Sequence, residues 1–445
     1  MASHSFSRRG LIKAAGVVAA GAALPKWFVE ETLDAQSAPV PTSANDKPNL
    51  ALIGCGGRGQ DDARTASKFG NIVAVCDVDA NHAREASQKF KNAKIYDDFR
   101  KILDRDDIPI IINATPDHWH TLVNIHALRR GKDIYGEKPL TLTIDEGKHV
   151  VAEVKKQKRI LQTGSQQRSD RRFRLACELV RNGRVGKLEE ISVILPVGRR
   201  EGPFEAKEVP PGFNWDFWLG QSPKVSYVPE RTHVTFRYWY DYSGGTMTDW
   251  GAHHNDIALW GLGLDPSGPV SIEGTPLVKM IPNGFDAFSE YRVEYTYANG
   301  VRHHCITTND DQWYGAPVPG HTGPNSLHNG IKFSGTDGWI FVTRGKIEAS
   351  KPELINEPLP SNATRLYVSN DHMGNFFDCV RTRKDPICDA EVGHRAASVC
   401  HLGVISMRLG RKLQWDPAAQ AIVGDEEAQK WVSRTMREPW SYDAV

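Results

Sequence analysis

The sequence predicts a two-domain α/β protein, and two patterns carry that prediction. Between residues 49 and 165, short apolar runs alternate with helical patterns, which is typical of a doubly wound parallel sheet with helices on both faces. From residue 166 onward, alternating apolar residues and Asn-Gly or Asp-Gly turns indicate antiparallel strands. A length of 445 residues allows two domains of ordinary size, each with its own core.

The charge balance argues against polyanionic partners. The chain has 55 Lys and Arg residues and 54 Asp and Glu residues, which gives a formal net charge of +1. A chain with this balance has no long-range field that would hold nucleic acid or an anionic membrane surface. Its 7 cysteines are an odd number without the dense spacing of a disulfide scaffold, so we expect reduced thiols.

Residues 1–47 are predicted to be an export signal and a linker. Residues 7–13 resemble a twin-arginine signal, and the apolar stretch that follows is too short to span a bilayer stably. The rest of this segment mixes Ala, Pro, Ser and Thr without periodicity. We therefore expect an exported, periplasmic protein with no membrane attachment after signal removal. An ordinary amphipathic N-terminal helix is the alternative interpretation.

A glycine-rich turn directly after the first apolar run fits the pattern G-x-G-x-x-G. In that pattern the first glycine allows a tight turn, the second lets the backbone approach a pyrophosphate, and the last lets a helix pack closely on the strand. This arrangement is the phosphate-binding site of a Rossmann domain. The predicted cofactor-binding residues of the turn are Gly54, Gly56, Gly57, Arg58 and Gly59.

Asp77 ends the second apolar run at the spacing expected of a ribose ligand. A carboxylate there accepts hydrogen bonds from the ribose hydroxyls of NAD and repels the 2′-phosphate of NADP. The sequence therefore predicts NAD as the cofactor. A glycine-rich turn followed by a strand-end Asp that caps the next helix is the structural alternative.

The segment from Thr115 to His120 follows a further buried run and begins a predicted helix. The carboxyl ends of parallel strands form the cofactor crevice, so we expect Thr115, Pro116 and His120 to contact the cofactor. His118 and His120 are also typical of an ordinary helix start.

With these motifs, the segment Gly136-Glu137-Lys138-Pro139-Leu140 resembles the glucose-fructose oxidoreductase and inositol dehydrogenase family, often called Gfo/Idh/MocA. In that family the Glu-Lys-Pro lysine reaches into the site between cofactor and sugar. The resemblance implies that Lys138 contacts the cofactor and is catalytic, binding the hydroxyl that is oxidised and stabilising negative charge. It also implies that Glu137 contacts the cofactor. Outside the family, a lysine before a proline is usually a solvated surface residue.

The resemblance continues at residues 243–256, where family members carry an Asp, a His four positions later and an Asp three positions further. Asp249, His253 and Asp256 match that pattern. These spacings lie on one helical face, so we expect Asp249 to accept a hydrogen bond from His253, the candidate general base. A metal site is the rival interpretation. We expect none, because the adjacent His253 and His254 diverge on a helix.

The resemblance covers residues 49–417 and implies a C-terminal α+β domain with a large open, mostly antiparallel sheet beside the cofactor crevice. It also implies a homo-oligomer formed through that sheet. We divide the chain into a Rossmann domain (48–165), a substrate and catalytic domain (166–417) and a C-terminal extension (418–445). The predicted substrate contacts are Arg168, Trp250, His254 and Asp256.

The leading hypothesis is an NAD-dependent oxidoreductase that acts on a secondary hydroxyl of a sugar or sugar-like polyol. An exported enzyme has no pool of free NAD, so we expect a tightly bound cofactor. A redox-neutral glycoside hydrolase that works through a keto-sugar intermediate is the second hypothesis. The Glu-Lys-Pro lysine favours the first over the second. A noncatalytic exported sugar-binding protein is the third.

Overall fold

The fold is taken from a computed structural model that describes residues 24–35, 47–264, 267–308, 312–313, 316–317 and 329–443. The twin-arginine pattern at residues 7–13 lies outside these residues. Within them, none of the helices combines the length and the apolar character that crossing a membrane requires.

The N-terminal domain is a parallel sheet of six strands in the order β3-β2-β1-β4-β5-β6. Its strands are β1 (Asn49–Ile53), β2 (Asn71–Cys76), β3 (Lys94–Tyr96), β4 (Ile110–Asn113), β5 (Asp133–Gly136) and β6 (Leu161–Thr163). Counted after a separate helix α1 (Lys26–Ala35), its helices are α2 (Gly57–Ala66), α3 (Ala80–Lys89), α4 (Arg100–Leu103), α5 (Asp117–Arg129) and α6 (Ile144–Gln157). The strand order reverses between β1 and β4, which is where a doubly wound sheet opens a crevice for a ligand.

The C-terminal domain contains a nine-stranded sheet in the order β15-β14-β13-β7-β10-β9-β8-β16-β17. Only β7 and β10 pair in parallel within it, and its other described pairs are antiparallel. Its strands are β7 (Leu188–Leu195), β8 (Ser271–Pro276), β9 (Tyr291–Thr296), β10 (Arg302–Thr307), β13 (Gly330–Gly335), β14 (Gly338–Thr343), β15 (Lys346–Ala349), β16 (Leu413–Asp416) and β17 (Ala421–Ile422), while β11 (Gln312–Trp313) and β12 (Ala316–Pro317) form a separate pair. The predicted fold class is confirmed.

Three longer helices of this half, α7 (Arg171–Arg181), α10 (Gly251–Leu262) and α13 (Ala390–Leu409), pack on the nine-stranded sheet. The helices are α7 (Arg171–Arg181), α8 (Trp215–Leu219), α9 (Thr246–Asp249), α10 (Gly251–Leu262), α11 (Glu353–Asn356), α12 (His372–Thr382), α13 (Ala390–Leu409) and α14 (Glu426–Gln429). Helix α12 crosses back, and Phe376 and Met373 join the core of the parallel sheet. All seven cysteines are buried and none forms a disulfide.

Helix α1 lies within the segment that we predicted to be signal and linker. Its Phe28 is 0% exposed and belongs to the core of the C-terminal domain. The guanidinium of Arg174 lies 4.3 Å from the centre of the Phe28 ring, and Arg174 also donates a hydrogen bond to Thr32. Helix α1 therefore packs against the C-terminal domain, with Phe28 buried in its core and Trp27 partly buried against the same core.

We expect Phe28→Ala to lower the free energy of unfolding by about 3–5 kcal/mol, as truncation of a buried aromatic ring does. Urea denaturation followed by tryptophan fluorescence measures the change. Lys26→Ala is the matched control on the same helix, since the Lys26 side chain is 89% exposed. Equal stability of the two variants would contradict the packing of α1.

Candidate cofactor and substrate cleft

A cavity of about 760 Å³ opens between the two domains at the carboxyl ends of the parallel strands. One wall is formed by the glycine-rich turn, Asp77 and the Glu-Lys-Pro segment. The other wall comes from the C-terminal domain, with Asp249, Trp250 and His253 at its centre. The two motifs that were recognised far apart in the sequence therefore face the same space.

The glycine-rich turn has the geometry of a phosphate cradle. Gly54 has φ of 87°, and a Cβ there would lie 2.4 Å from the carbonyl oxygen of Ala114. A Cβ on Gly59 would lie 2.0 Å from the carbonyl oxygen of Gly54. By contrast, a Cβ on Gly56 or Gly57 would meet nothing within 4 Å. The first and last glycines are thus required by packing, and the middle two leave the start of α2 open to an anion.

Asp77 is held at the rim of the cavity by the turn itself. Its Oδ2 accepts a hydrogen bond from the backbone N–H of Cys55 at 2.7 Å, and its Oδ1 accepts one from Asp79 N–H at 2.9 Å. Burial raises the pKa of Asp77, although these two bonds partly oppose the rise. Each carboxylate oxygen has a second lone pair, so the group can still accept bonds from ribose hydroxyls.

Arg58 and Glu137 form one charged unit in the cavity wall. Arg58 Nε lies 3.0 Å from Glu137 Oε1, and Arg58 also pairs with Asp62. Burial favours the neutral form of Glu137, but the Arg58 and Lys138 cations outweigh it, so the pKa of Glu137 is lowered. Glu137 is therefore an ionised acceptor, and Gln166 donates a further bond to it at 2.8 Å.

His120 joins two of the predicted cofactor-binding segments. Its Nδ1 lies 2.6 Å from the carbonyl oxygen of Pro139, and its Nε2 lies 2.8 Å from that of Thr115. These two contacts link the turn at Thr115 to the Glu-Lys-Pro segment that carries Lys138. His118 differs: it lies behind the cavity, where its Nε2 contacts Trp218 O, and burial lowers its pKa to about 3.

Lys138 and Asp249 meet across the domain boundary. The Lys138 ammonium donates to the Asp249 carboxylate and, at 3.2 Å, to the Asp249 backbone carbonyl. Arg237 Nε lies 3.3 Å from the same carboxylate. Burial would raise the pKa of Asp249, but the Lys138 and Arg237 cations outweigh burial and lower it. Asp249 is therefore a stable anion that holds Lys138 in the cleft.

His253 lies in the cavity wall without the expected bond to Asp249. The chain breaks the helix at Trp250, between α9 and α10, and the Asp249 carboxylate turns toward Lys138 and Arg237. Among the described residues, His253 Nδ1 has no hydrogen-bond partner. Burial, followed by the nearby Lys138 cation, lowers the pKa of His253 well below 6.5. The imidazole is thus held neutral, and our predicted Asp249–His253 hydrogen bond is wrong.

Three of the four predicted substrate contacts do not reach the cavity. Arg168 and Asp256 form a buried two-pronged ion pair, with Arg168 stacked over Trp260. His254 contacts the side-chain amides of Gln167 and Asn329. These side chains point from their elements into the core behind the cleft, so we assign them a structural role. Trp250 does line the cavity.

Several cavity residues were missed by sequence reasoning. Gln166, Gln167 and Asp170 follow β6, and Arg237 precedes the glycine-rich turn of the second domain. Arg344 lies in the turn between β14 and β15, with its guanidinium 4.7 Å from the centre of the Trp250 ring. None of these residues belongs to a local pattern, because only the tertiary fold brings them to the cleft.

Comparison with known proteins agrees with this geometry, and the chain belongs to the Gfo/Idh/MocA oxidoreductase family. Residues 49–165 match the family model for the NAD-binding Rossmann fold, and residues 196–442 match the model for the C-terminal alpha/beta domain. The first domain is therefore an NAD-binding Rossmann domain, and the cofactor prediction is confirmed.

Inositol 2-dehydrogenases are among the similar sequences. The protein from Burkholderia cenocepacia (strain HI2424) is 30% identical over 142 residues, which is 31% of this chain and 42% of that protein. The protein from Salmonella typhimurium (strain LT2) is 30% identical over 141 residues, again 31% of this chain and 42% of that protein. The match thus spans less than half the length of these relatives.

Solved structures share the fold over most of this chain at low sequence identity. Levoglucosan dehydrogenase in complex with NADH and levoglucosan has a TM-score of 0.59 at 17% identity, covering 83% of this chain and 99% of that one. The WlbA dehydrogenase from Bordetella pertussis, in complex with NADH and UDP-GlcNAcA, has a TM-score of 0.60 at 16% identity, with the same coverage. These likenesses show a common fold.

We expect Asp77→Ala to weaken NAD binding and to relax discrimination against NADP. The ribose loses a charged acceptor, which contributes about 1.5–3 kcal/mol, so the Kd for NAD rises at least about tenfold. Fluorescence titration with NADH and NADPH measures both constants. Asp61→Ala on the exposed side of α2 is the control. If Asp77→Ala leaves both affinities unchanged, Asp77 is not the ribose ligand.

Proposed function

We propose that this protein oxidises a secondary hydroxyl of a sugar or sugar-like polyol and that it retains its NAD tightly. The observation that carries the proposal is that Lys138 and His253 line the same cavity as the glycine-rich turn and Asp77. A cation and a neutral imidazole are the two groups that deprotonation of an alcohol needs.

The residues of the cleft fit a bound dinucleotide. The open side of Gly56 and Gly57 would receive the pyrophosphate, and Asp77 would accept the ribose hydroxyls. When bound, NAD supplies the hydride acceptor. Everything else in the proposed reaction is done by side chains of this chain.

Lys138 and His253 would have different roles at the substrate hydroxyl. Lys138, whose side chain is 10% exposed, would donate a hydrogen bond to the hydroxyl oxygen and stabilise negative charge as it develops there. His253 would accept the hydroxyl proton, because its lowered pKa keeps the ring neutral. Asp249 would neither donate nor accept a proton in the reaction. Its role is to orient the ammonium of Lys138.

The substrate class rests on the cleft and on the relatives together. Polar side chains of Gln166, Gln167 and Asp170 line the cavity beside the indole of Trp250, and sugar sites combine hydroxyl-binding groups with aromatic faces in this way. The similar proteins include inositol 2-dehydrogenases, and the proteins of similar fold include a levoglucosan dehydrogenase and a dehydrogenase in complex with UDP-GlcNAcA. Export by the twin-arginine pathway and a homo-oligomer joined through the nine-stranded sheet stay predictions.

Lys138→Met and His253→Ala should each lower turnover by about a hundredfold or more, since positioned acids and bases contribute about 10²–10⁴-fold. Both variants should keep their NAD content, which mass spectrometry of the native protein measures. Lys101→Met and His149→Ala are the controls, because these two side chains are 59% and 48% exposed and neither lines the cavity. A Lys138 or His253 variant with full turnover is evidence that the residue takes no part in the chemistry.

The pH dependence tests the base directly. His253 accepts a proton only when neutral, so turnover is present above its pKa and is lost as the pH falls through it. Because that pKa is lowered, the acid limb of the rate profile should lie below pH 6.5. The residual activity of Lys138→Met should show an acid limb at higher pH, since a cation that lowers the pKa is gone. An acid limb at or above pH 6.5 in the wild type would contradict the assignment.

Net oxidation and glycoside cleavage make opposite predictions for the retained cofactor. With an alcohol substrate alone, nicotinamide absorbance should rise once, in proportion to enzyme, and steady turnover should require a carbonyl acceptor. Sustained release of aglycone from a simple glycoside, without net absorbance change and with solvent deuterium beside the oxidised carbon, would replace the proposal by redox-neutral hydrolysis.

A further inference from the structure

Three side chains of metal-binding type meet at the Asp77 end of the cleft, away from Lys138. Asp79 precedes α3, His82 lies in the first turn of α3, and His233 begins the 3₁₀ helix His233–Tyr238 of the other domain. One ligand atom of each lies within 4.8 Å of the other two. His233 Nε2 is 3.6 Å from Asp79 Oδ2, and the centres of the two imidazole rings are 4.7 Å apart.

Among the described residues, the two histidines have no hydrogen-bonding partner that would compete with a metal ion. Neither imidazole forms a hydrogen bond within the part of the chain that the structure describes; the nearest charged atoms are Asp79 Oδ2 for His233 and Asp77 Oδ2, at 3.9 Å, for His82. Asp79 uses its Oδ1 to cap α3 through Asn81 N–H, which leaves Oδ2 directed at His233. The three groups therefore keep their ligand atoms available to a common point.

The ligand chemistry selects the type of ion. Two imidazoles and one carboxylate, with a further position open to water, form a donor set that zinc accepts. Magnesium and calcium prefer sites made of oxygen ligands alone. From the sequence we predicted no metal site anywhere in the chain, and this proposal departs from that prediction. His82 and His233 form no local pattern, because they come from different domains.

We propose that Asp79, His82 and His233 bind a divalent transition metal ion of the zinc type, which joins the two domains beside the cofactor cleft. His82 and His233 both line the cavity. The neighbouring backbone already connects the domains, since Asn214 N–H donates to Val78 O and Ala80 N–H donates to Gly212 O, each at 2.9 Å.

The metal would act on cofactor release. His233 belongs to the segment that lines the cavity beside Asp77. A metal ion bound by both His233 and His82 would hold that segment against α3. A dinucleotide that leaves the cavity past Asp77 could then dissociate only after the metal–imidazole bond breaks, so its release would be slower. This consequence rests on the NAD site of the proposed function, whereas metal binding itself does not.

The test uses the full chain without a histidine tag, dialysed against EDTA. Titration with Zn²⁺ by calorimetry should give one site per chain, and Co²⁺ should give a visible d–d absorption band. Release of prebound NADH into excess NAD, followed by fluorescence, should be several-fold slower with Zn²⁺ than with EDTA. Absence of stoichiometric Zn²⁺ binding would overturn the metal site. A rate of NADH release that Zn²⁺ leaves unchanged would overturn the proposed effect of the metal on cofactor release.

Variants separate this site from other histidines. His82→Gln and His233→Asn should each abolish the Zn²⁺ site and the slow release, and Asn accepts the left-handed backbone of residue 233, where φ is 53°. His149→Gln is the control, because His149 also lies near a carboxylate, Asp145, but belongs to no cluster of three metal-binding groups within the described part of the chain. Zn²⁺ binding that survives in the double variant would overturn the assignment. NADH binding by the wild type in EDTA reports on the cofactor site independently.

Discussion

The ion pair between Lys138 and Asp249 is the constraint on which the cleft depends. It connects the end of β5 in the parallel sheet to α9 in the second domain, and both partners are largely removed from solvent. Loss of Asp249 would leave the Lys138 ammonium without its carboxylate partner, at a cost of about 3–5 kcal/mol, whereas Asp249 without Lys138 would still pair with Arg237. The pair therefore helps to hold the two domains in an arrangement in which His253 and the glycine-rich turn line one cavity.

Other polar bonds support that arrangement from each side. His120 ties the Pro139 carbonyl to the Thr115 carbonyl, which fixes the segment that carries Lys138. Across the boundary, Ser243 Oγ donates to Asp117 Oδ2 at 2.5 Å. The charges are distributed so that Asp249 is anionic and His253 neutral. Both groups are thus in their basic forms, and the neutral imidazole is the form that can accept the proton of a substrate hydroxyl.

Features that depend on residues close together in the sequence could be predicted, whereas features that depend on contacts between distant parts of the chain could not. The turn at Gly54 and the carboxylate of Asp77 were predictable, because a strand, a turn and a helix determine them locally. The partner of Asp249 was not, since Lys138 comes from the other domain and the helix was assumed to run through Trp250. Helix α1 was missed for the same reason: the burial of its Phe28 ring depends on the core of the C-terminal domain, whose residues are distant in the sequence.

The measurement that tests this account most directly is a crystal structure of the protein with NADH. The account predicts the pyrophosphate on the turn at Gly56 and Gly57, the adenosine ribose on Asp77, and the nicotinamide in contact with Lys138 and beside His253. A nicotinamide ring bound elsewhere, with Lys138 and Asp249 still paired out of its reach, would contradict it.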